Sequence, residues 1–174
     1  MTVTASDGVE LHAERHGPPD APCIVFSCAY TTTHENWRGQ VDPLVALGWQ
    51  VVLWDHRGHG RSAAPATPDA YTMDAVVGDL RAVCDWASPG RPVVLAGLSF
   101  GGLVSLHLAL AAPERVRALV LAGSGPGFKN PKAAEGWAKQ TERTASYLVE
   151  RGLDAFVAGK AGATCIGRKR ELPA

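Results

Sequence analysis

Short apolar runs at residues 23–28, Gln50–Trp54, Val93–Leu98 and 117–122 are rich in β-branched side chains and lack polar alternation. Runs of this kind predict strands buried on both faces. Between them the spacing changes to that of helices. From 72 to 87, Met73, Val76, Val77, Leu80, Val83, Cys84 and Ala87 recur at i, i+3, i+4 and i+7, which predicts a helix with one face on a sheet. Thr72 suits its N-cap, Asp74 its positive end, and Ser88-Pro89-Gly90 stops it. Residues 37–47, ended by Gly48, and 103–112, ended by Pro113, are the other two helical segments. At the N-terminus, segments 2–5 and 9–16 flank Ser6-Asp7-Gly8, where the Asp-Gly step predicts an antiparallel hairpin. A hairpin followed by alternating strands and helices predicts an α/β fold, with a mostly parallel sheet and right-handed crossovers.

The pattern changes beyond Ser124-Gly125-Pro126-Gly127. Residues 133–151 carry a helical stripe at Ala134, Trp137, Ala138, Thr141, Ala145 and Leu148, and 153–157 continue it. No strand is predicted after that point. The expected organisation is a core over 1–125 and a helical appendage over 126–174.

Composition narrows the function classes. The 174 residues are 46% hydrophobic and 20% charged, with 17 basic side chains against 17 acidic ones. Zero formal net charge offers no field to steer a polyanion, and the single basic cluster, Arg168-Lys169-Arg170, adjoins Glu171, so nucleic acid is not an expected partner. No apolar run of about 18 residues is present, and the N-terminus lacks signal-peptide character. The chain is therefore expected to be cytoplasmic and free of membrane. Cys23, Cys28, Cys84 and Cys165 form no C-x-x-C pair, and the first three are expected to be small buried hydrophobes.

The chemistry concentrates at Gly97-Leu98-Ser99-Phe100-Gly101, between a predicted strand and a predicted helix. A serine exposed at a sharp strand-to-helix turn needs small residues two before and two after it, because neighbouring backbones approach closely there. Gly97 and Gly101 meet that need, and Gly102 adds room. The Phe100 N–H, at the positive end of the helix, is aimed at a developing oxyanion. Two blander readings stand beside this one: a plain tight turn, and a phosphate-binding turn. The latter lacks the Lys-Ser/Thr of a P-loop and the third glycine of a dinucleotide fingerprint.

Residues 97–102, the loop Asp55-His56-Arg57-Gly58-His59-Gly60-Arg61-Ser62, Trp37 at a helix start and Pro113-Glu114-Arg115-Val116 together resemble the α/β-hydrolase superfamily. The loop is similar to that family's D-x-R-G-x-G-x-S segment. The resemblance implies a serine hydrolase with Ser99 as nucleophile, and the appendage from Pro126 as the start of a lid. It also implies main-chain oxyanion donors at Phe100 and, in Cys28-Ala29-Tyr30 where most members carry His-Gly, at Tyr30. His34 is expected either to touch substrate or to sit exposed at a helix start. His56 and His59 are read as loop residues rather than metal ligands, and Cys28 as a packed thiol. No metal and no organic cofactor are expected.

In this fold the acid and the histidine follow the serine in the chain. His107 alone has the right order, but it would lie about 12 Å along the helix from Ser99. The chain is therefore expected to stop within the lid, without the two strands that would bear acid and histidine. The strand at 117–122 would then present an open edge for self-association. Two functions follow. One is serine-nucleophile hydrolysis of a small-molecule ester, thioester, amide or carbon–carbon bond; the other is a non-catalytic binding module of the same fold.

Overall fold

The structure, a computed structural model, describes residues 1–159. Cys165 and the Arg168-Lys169-Arg170 cluster lie outside the described residues. The chain parts into two compact units between Pro126 and Gly127.

The first unit is a six-stranded sheet in the order β1-β2-β4-β3-β5-β6. β1 (Thr2–Thr4) and β2 (Glu10–His16) form the antiparallel hairpin that Asp7-Gly8 predicts, and β2 then pairs antiparallel with β4 (Gln50–Trp54). β4, β3 (Cys23–Ser27), β5 (Val93–Leu98) and β6 (Val116–Ala122) run parallel. Every residue of β3 and β4 is buried, which is why both read as unbroken apolar runs. The fold class expected from the sequence is the one observed.

Apolar cores fill both faces of the sheet. On one face α2 (Met73–Ala87) and α3 (Phe100–Ala111) bring Val76, Leu80, Val83, Val104 and Leu108 onto Val25, Val52, Trp54 and Leu95. On the other, Trp37, Val41 and Leu44 cover Ile24, Phe26, Val51 and Leu53. Each fully buried leucine in these layers contributes about 2 kcal/mol relative to an exposed one.

Several element boundaries differ from expectation, most by one or two residues. The helix predicted over 37–47 is a 3-10 segment, His34–Gln40, followed by a short α1 (Val41–Ala46). Pro43 has no N–H to return to Gly39, so an α-helical ladder cannot run back through that point. The helix predicted from 103 begins at Phe100, because close packing of Gly101 and Gly102 outweighs their poor helical propensity. β6 begins at Val116, one residue early.

The second unit holds α4 (Pro131–Ala158), capped by the Asn130 side chain on the Lys132 N–H at 2.9 Å. Gly152, at φ 79° and ψ 170°, breaks it into two helical pieces. Among the described residues no helix is long and apolar enough to cross a membrane.

Candidate active site

The parallel strands end together. Ser27 pairs with Gly97, and Gly97 with Leu121, so the loops leaving β3, β5 and β6 open on one end of the sheet. At that end the chain must pass from β5 into α3 within a single residue. Ser99 makes the turn at φ 50° and ψ −111°, a backbone state that costs an ordinary side chain about 1–3 kcal/mol. Its N–H donates to the Ala122 carbonyl at 2.9 Å, its carbonyl accepts from the Leu103 N–H at 3.1 Å, and its side chain is exposed. The strained residue is thus held by both flanking elements.

Space, rather than backbone angle, dictates the glycines around it. A Cβ on Gly97 would strike the Gly101 carbonyl and the Gly102 nitrogen, and one on Gly101 would strike the Ser27 carbonyl oxygen and lie 2.6 Å from that of Cys28. On Gly102 it would stand 2.6 Å from the Ser124 Cβ. The turn is therefore wedged between β3 and β6, and a methyl group at any of these three positions has nowhere to go.

The loop after β3 faces this turn. The Cys28 carbonyl accepts from the His56 Nε2–H at 3.1 Å, and the Thr31 N–H donates to His59 Nε2 at 3.3 Å. Thr31, at φ 63°, carries the left-handed residue of this loop; the structure places the bend there and not at Ala29. Tyr30 is half exposed, and its ring meets those of His59 and Phe100 edge-on at 5.9 and 6.4 Å. The rings of the two expected oxyanion-donor residues are thereby neighbours. Burial keeps the Cys28 thiol protonated, pushed up to about 11, in keeping with a packed thiol.

Charged side chains frame the loop after β4. Asp55, fully buried, accepts from the His34 N–H at 2.8 Å, the His34 Nδ1–H at 2.9 Å and the Arg61 N–H at 3.0 Å. Gly60 passes so close that a Cβ there would enter the Asp55 carboxylate. Arg57 makes a two-pronged pair with buried Asp79 at 2.7 and 2.6 Å, and reaches Asp7 at 2.8 Å and the Ala70 carbonyl at 2.6 Å. These carboxylates hold the guanidinium charged well above its ordinary range. Burial drives His56 down to about 4, so its ring is neutral at pH 7.

His34 does not stand where the sequence suggested. It is 2% exposed, not a surface helix-start residue, and the Asp55 carboxylate turns its ring away from solvent, so almost none of it is open to a substrate. The structure instead gathers His34 with His12 and Glu14 of β2, a juxtaposition that the sequence reading missed. Its signal was present: His12, Glu14 and His16 alternate along one strand and so share a face. His107 lies on an exposed face of α3. The imidazoles nearest the serine turn are engaged elsewhere, His56 with Cys28 and His59 with the Arg57 carbonyl at 3.1 Å and the Thr31 N–H.

Over residues 22–159 the chain matches the alpha/beta hydrolase fold family. A Bacillus subtilis (strain 168) protein bearing the provisional name 2-succinyl-6-hydroxy-2,4-cyclohexadiene-1-carboxylate synthase is 30% identical over 158 residues, 91% of this chain and 57% of that protein. A solved carboxylesterase structure from the ammonia-oxidizing thaumarchaeon Nitrososphaera gargenis shares the fold with a TM-score of 0.80 at 23% identity, over 91% of this chain and 56% of that one. An epoxide hydrolase from Vigna radiata matches with a TM-score of 0.69 at 30% identity, over 76% of this chain and 42% of that one. The chain thus spans about half the length of the relatives it matches. With most of its length matched and the strand, serine turn and helix in the family's order, the chain belongs to the alpha/beta hydrolase fold family.

Proposed function

We propose that this chain supplies the nucleophile and oxyanion side of a serine hydrolase that acts on a small ester, thioester, amide or carbon–carbon bond substrate. Ser99 is the nucleophile, and the main-chain N–H groups of Tyr30 and Phe100 bind the developing oxyanion. The observation that carries the reading is the exposed Ser99 hydroxyl on a strained turn built with room for nothing larger than glycine at 97 and 101. A neutral serine attacks slowly without a base, and the nearby imidazoles are committed to other partners. Full rate therefore requires a base beyond those residues. The bond broken is left open as a class, because one fold carries several chemistries.

Fluorophosphonate labelling tests the reading. Ser99 is expected to be modified slowly in the folded chain, and the Ser99→Ala variant is expected to stay unlabelled. Equal p-nitrophenyl ester hydrolysis by the two proteins would overturn catalysis at this turn.

The same engagement of the imidazoles favours a second reading, a non-catalytic module. Among the described residues β6 pairs with β5 alone, and Val120 and Leu121 are exposed on it. Such an edge supports pairing with a second copy. Sedimentation that shifts with concentration would bear this out, and a constant monomer mass would refute it.

A further inference from the structure

We infer that His12, Glu14 and His34 form a binding site for a divalent transition-metal cation of the zinc type, clamping β2 to the 3-10 segment His34–Gln40. One ligand atom from each of the three lies within 4.8 Å of the other two. Glu14 Oε1 stands 3.3 Å from His12 Nε2 and 3.2 Å from His34 Nε2. Ligand atoms about 2.0–2.1 Å from a tetrahedral zinc stand about 3.3 Å apart, so both edges already have the required length.

His34 carries the argument. Its Nδ1–H is committed to Asp55, which in the neutral ring leaves Nε2 as the lone-pair nitrogen, and that atom is buried without a hydrogen-bond partner among the described residues. Carboxylate oxygens of Glu14 and Glu35 flank it at 3.2 and 3.1 Å, yet neither is in line with a ring N–H. A lone pair facing two anions is repelled by both, and a cation among them reverses the sign of each contact. The Asp55 carboxylate on the far ring nitrogen is the outer partner that fixes tautomer and orientation in metal-bound histidines. Backbone N–H groups of His34 and Arg61 hold Asp55 in turn, so this support is rigid before any ion arrives.

Glu14 divides its two oxygens. Oε2 faces Arg38 and His16, whereas Oε1 faces His12 and His34. Arg38 thus orients the carboxylate from outside the ligand set, and Arg61, 3.8 Å from Oε1 and largely exposed, is free to withdraw. Two imidazoles with one carboxylate suit zinc and its neighbours rather than calcium or magnesium, which take oxygen ligands. The fourth position falls to water or to Glu35.

The test uses the full chain, freed of any polyhistidine tag and stripped by chelator. Titration calorimetry with zinc chloride is expected to show one ion per chain. His12→Gln and Glu14→Gln are each expected to weaken binding at least ~10-fold, the scale on which even outer partners act. His16→Gln, whose ring faces the other oxygen, is expected to leave the affinity unchanged. Cobalt(II) added to the unaltered chain is expected to give the intense visible bands of a four-coordinate ion. No stoichiometric zinc uptake, equal affinity in folded His12→Gln, or the weak spectrum of six-coordinate aqueous cobalt would each overturn the site. The cobalt spectrum needs no variant and decides even where a substitution unfolds the chain.

Discussion

The turn after β5 and the loop after β4 both hold fixed backbones at the same end of the sheet, by opposite means. Residues 97–102 are held by the absence of side chains: Gly97, Gly101 and Gly102 let three backbones touch. Residues 55–62 are held by side chains, with Asp55, His34, Arg57 and Asp79 cross-bonding elements far apart in sequence. The first device is local and steric, the second dispersed and electrostatic. They should therefore fail differently when a single residue is changed.

The largest effect is expected at the charged frame. Asp79→Ala strands the Arg57 guanidinium, whose remaining partners are the half-exposed Asp7 carboxylate and the Ala70 carbonyl. Breaking one partner from a buried pair costs about 3–5 kcal/mol. Chemical denaturation should show that loss, and replacing both members, Arg57→Met with Asp79→Leu, should recover much of it. If the double variant is no better than the single one, the cost lies in lost packing and not in a stranded charge.

Next comes the steric device. Gly101→Ala places a methyl group against the carbonyls of Ser27 and Cys28, backbone atoms that cannot rotate aside. The expected loss is about 3 kcal/mol. Fluorophosphonate labelling of Ser99 should fall with it, since the turn and the expected donor at Phe100 would shift together. A Gly101→Ala protein of unchanged stability would show that β3 yields, and that the turn is not wedged.

How much of this was legible follows from the two devices. Steric need for small residues at fixed offsets from a serine writes itself into a five-residue window, so Ser99 and its glycines could be read directly. The start of α3 at Phe100 could not, because two glycines argue locally against a helix that packing imposes. The His34 cluster was only half legible, through the shared strand face of His12 and Glu14, for a different reason. Its members come from β2 and from the 3-10 segment, two elements far apart in the chain that only the tertiary fold brings together. Charge patterns within one segment do not encode a partner drawn from another.

Acid should sharpen the same contrast. His56 lies in the electrostatic loop, and burial lowers it to about 4 from an ordinary histidine value, with the Cys28 carbonyl and Asp55 pulling the other way. Folding therefore favours its neutral form. That contribution is fully present above about pH 6.5 and is lost as pH falls towards 4, because the unfolded chain binds the proton first. The loss over that window is roughly 2–3 kcal/mol. Melting temperatures measured from pH 7 to pH 4 should decline, and less steeply in folded His56→Gln. Identical slopes would show that the acid sensitivity in this window belongs to other groups; Glu14, held low chiefly by Arg38, loses its contribution mainly below its ordinary value of 4.5.

The smallest effect separates room from backbone angle as reasons for glycine. Gly8 sits at φ 86° in the hairpin turn with nothing among the described residues within 4 Å of a Cβ, whereas Gly101 has no room and no left-handed angle. Gly8→Ala should cost about 1 kcal/mol, the penalty of a left-handed alanine, with no change in Ser99 labelling. If Gly8→Ala instead matched Gly101→Ala, the hairpin and the serine turn would be mechanically coupled. The steric account, in which Gly101 matters because of what surrounds it, would then need replacement by one in which strain at β1 and β2 travels through β4 and β3 to the turn.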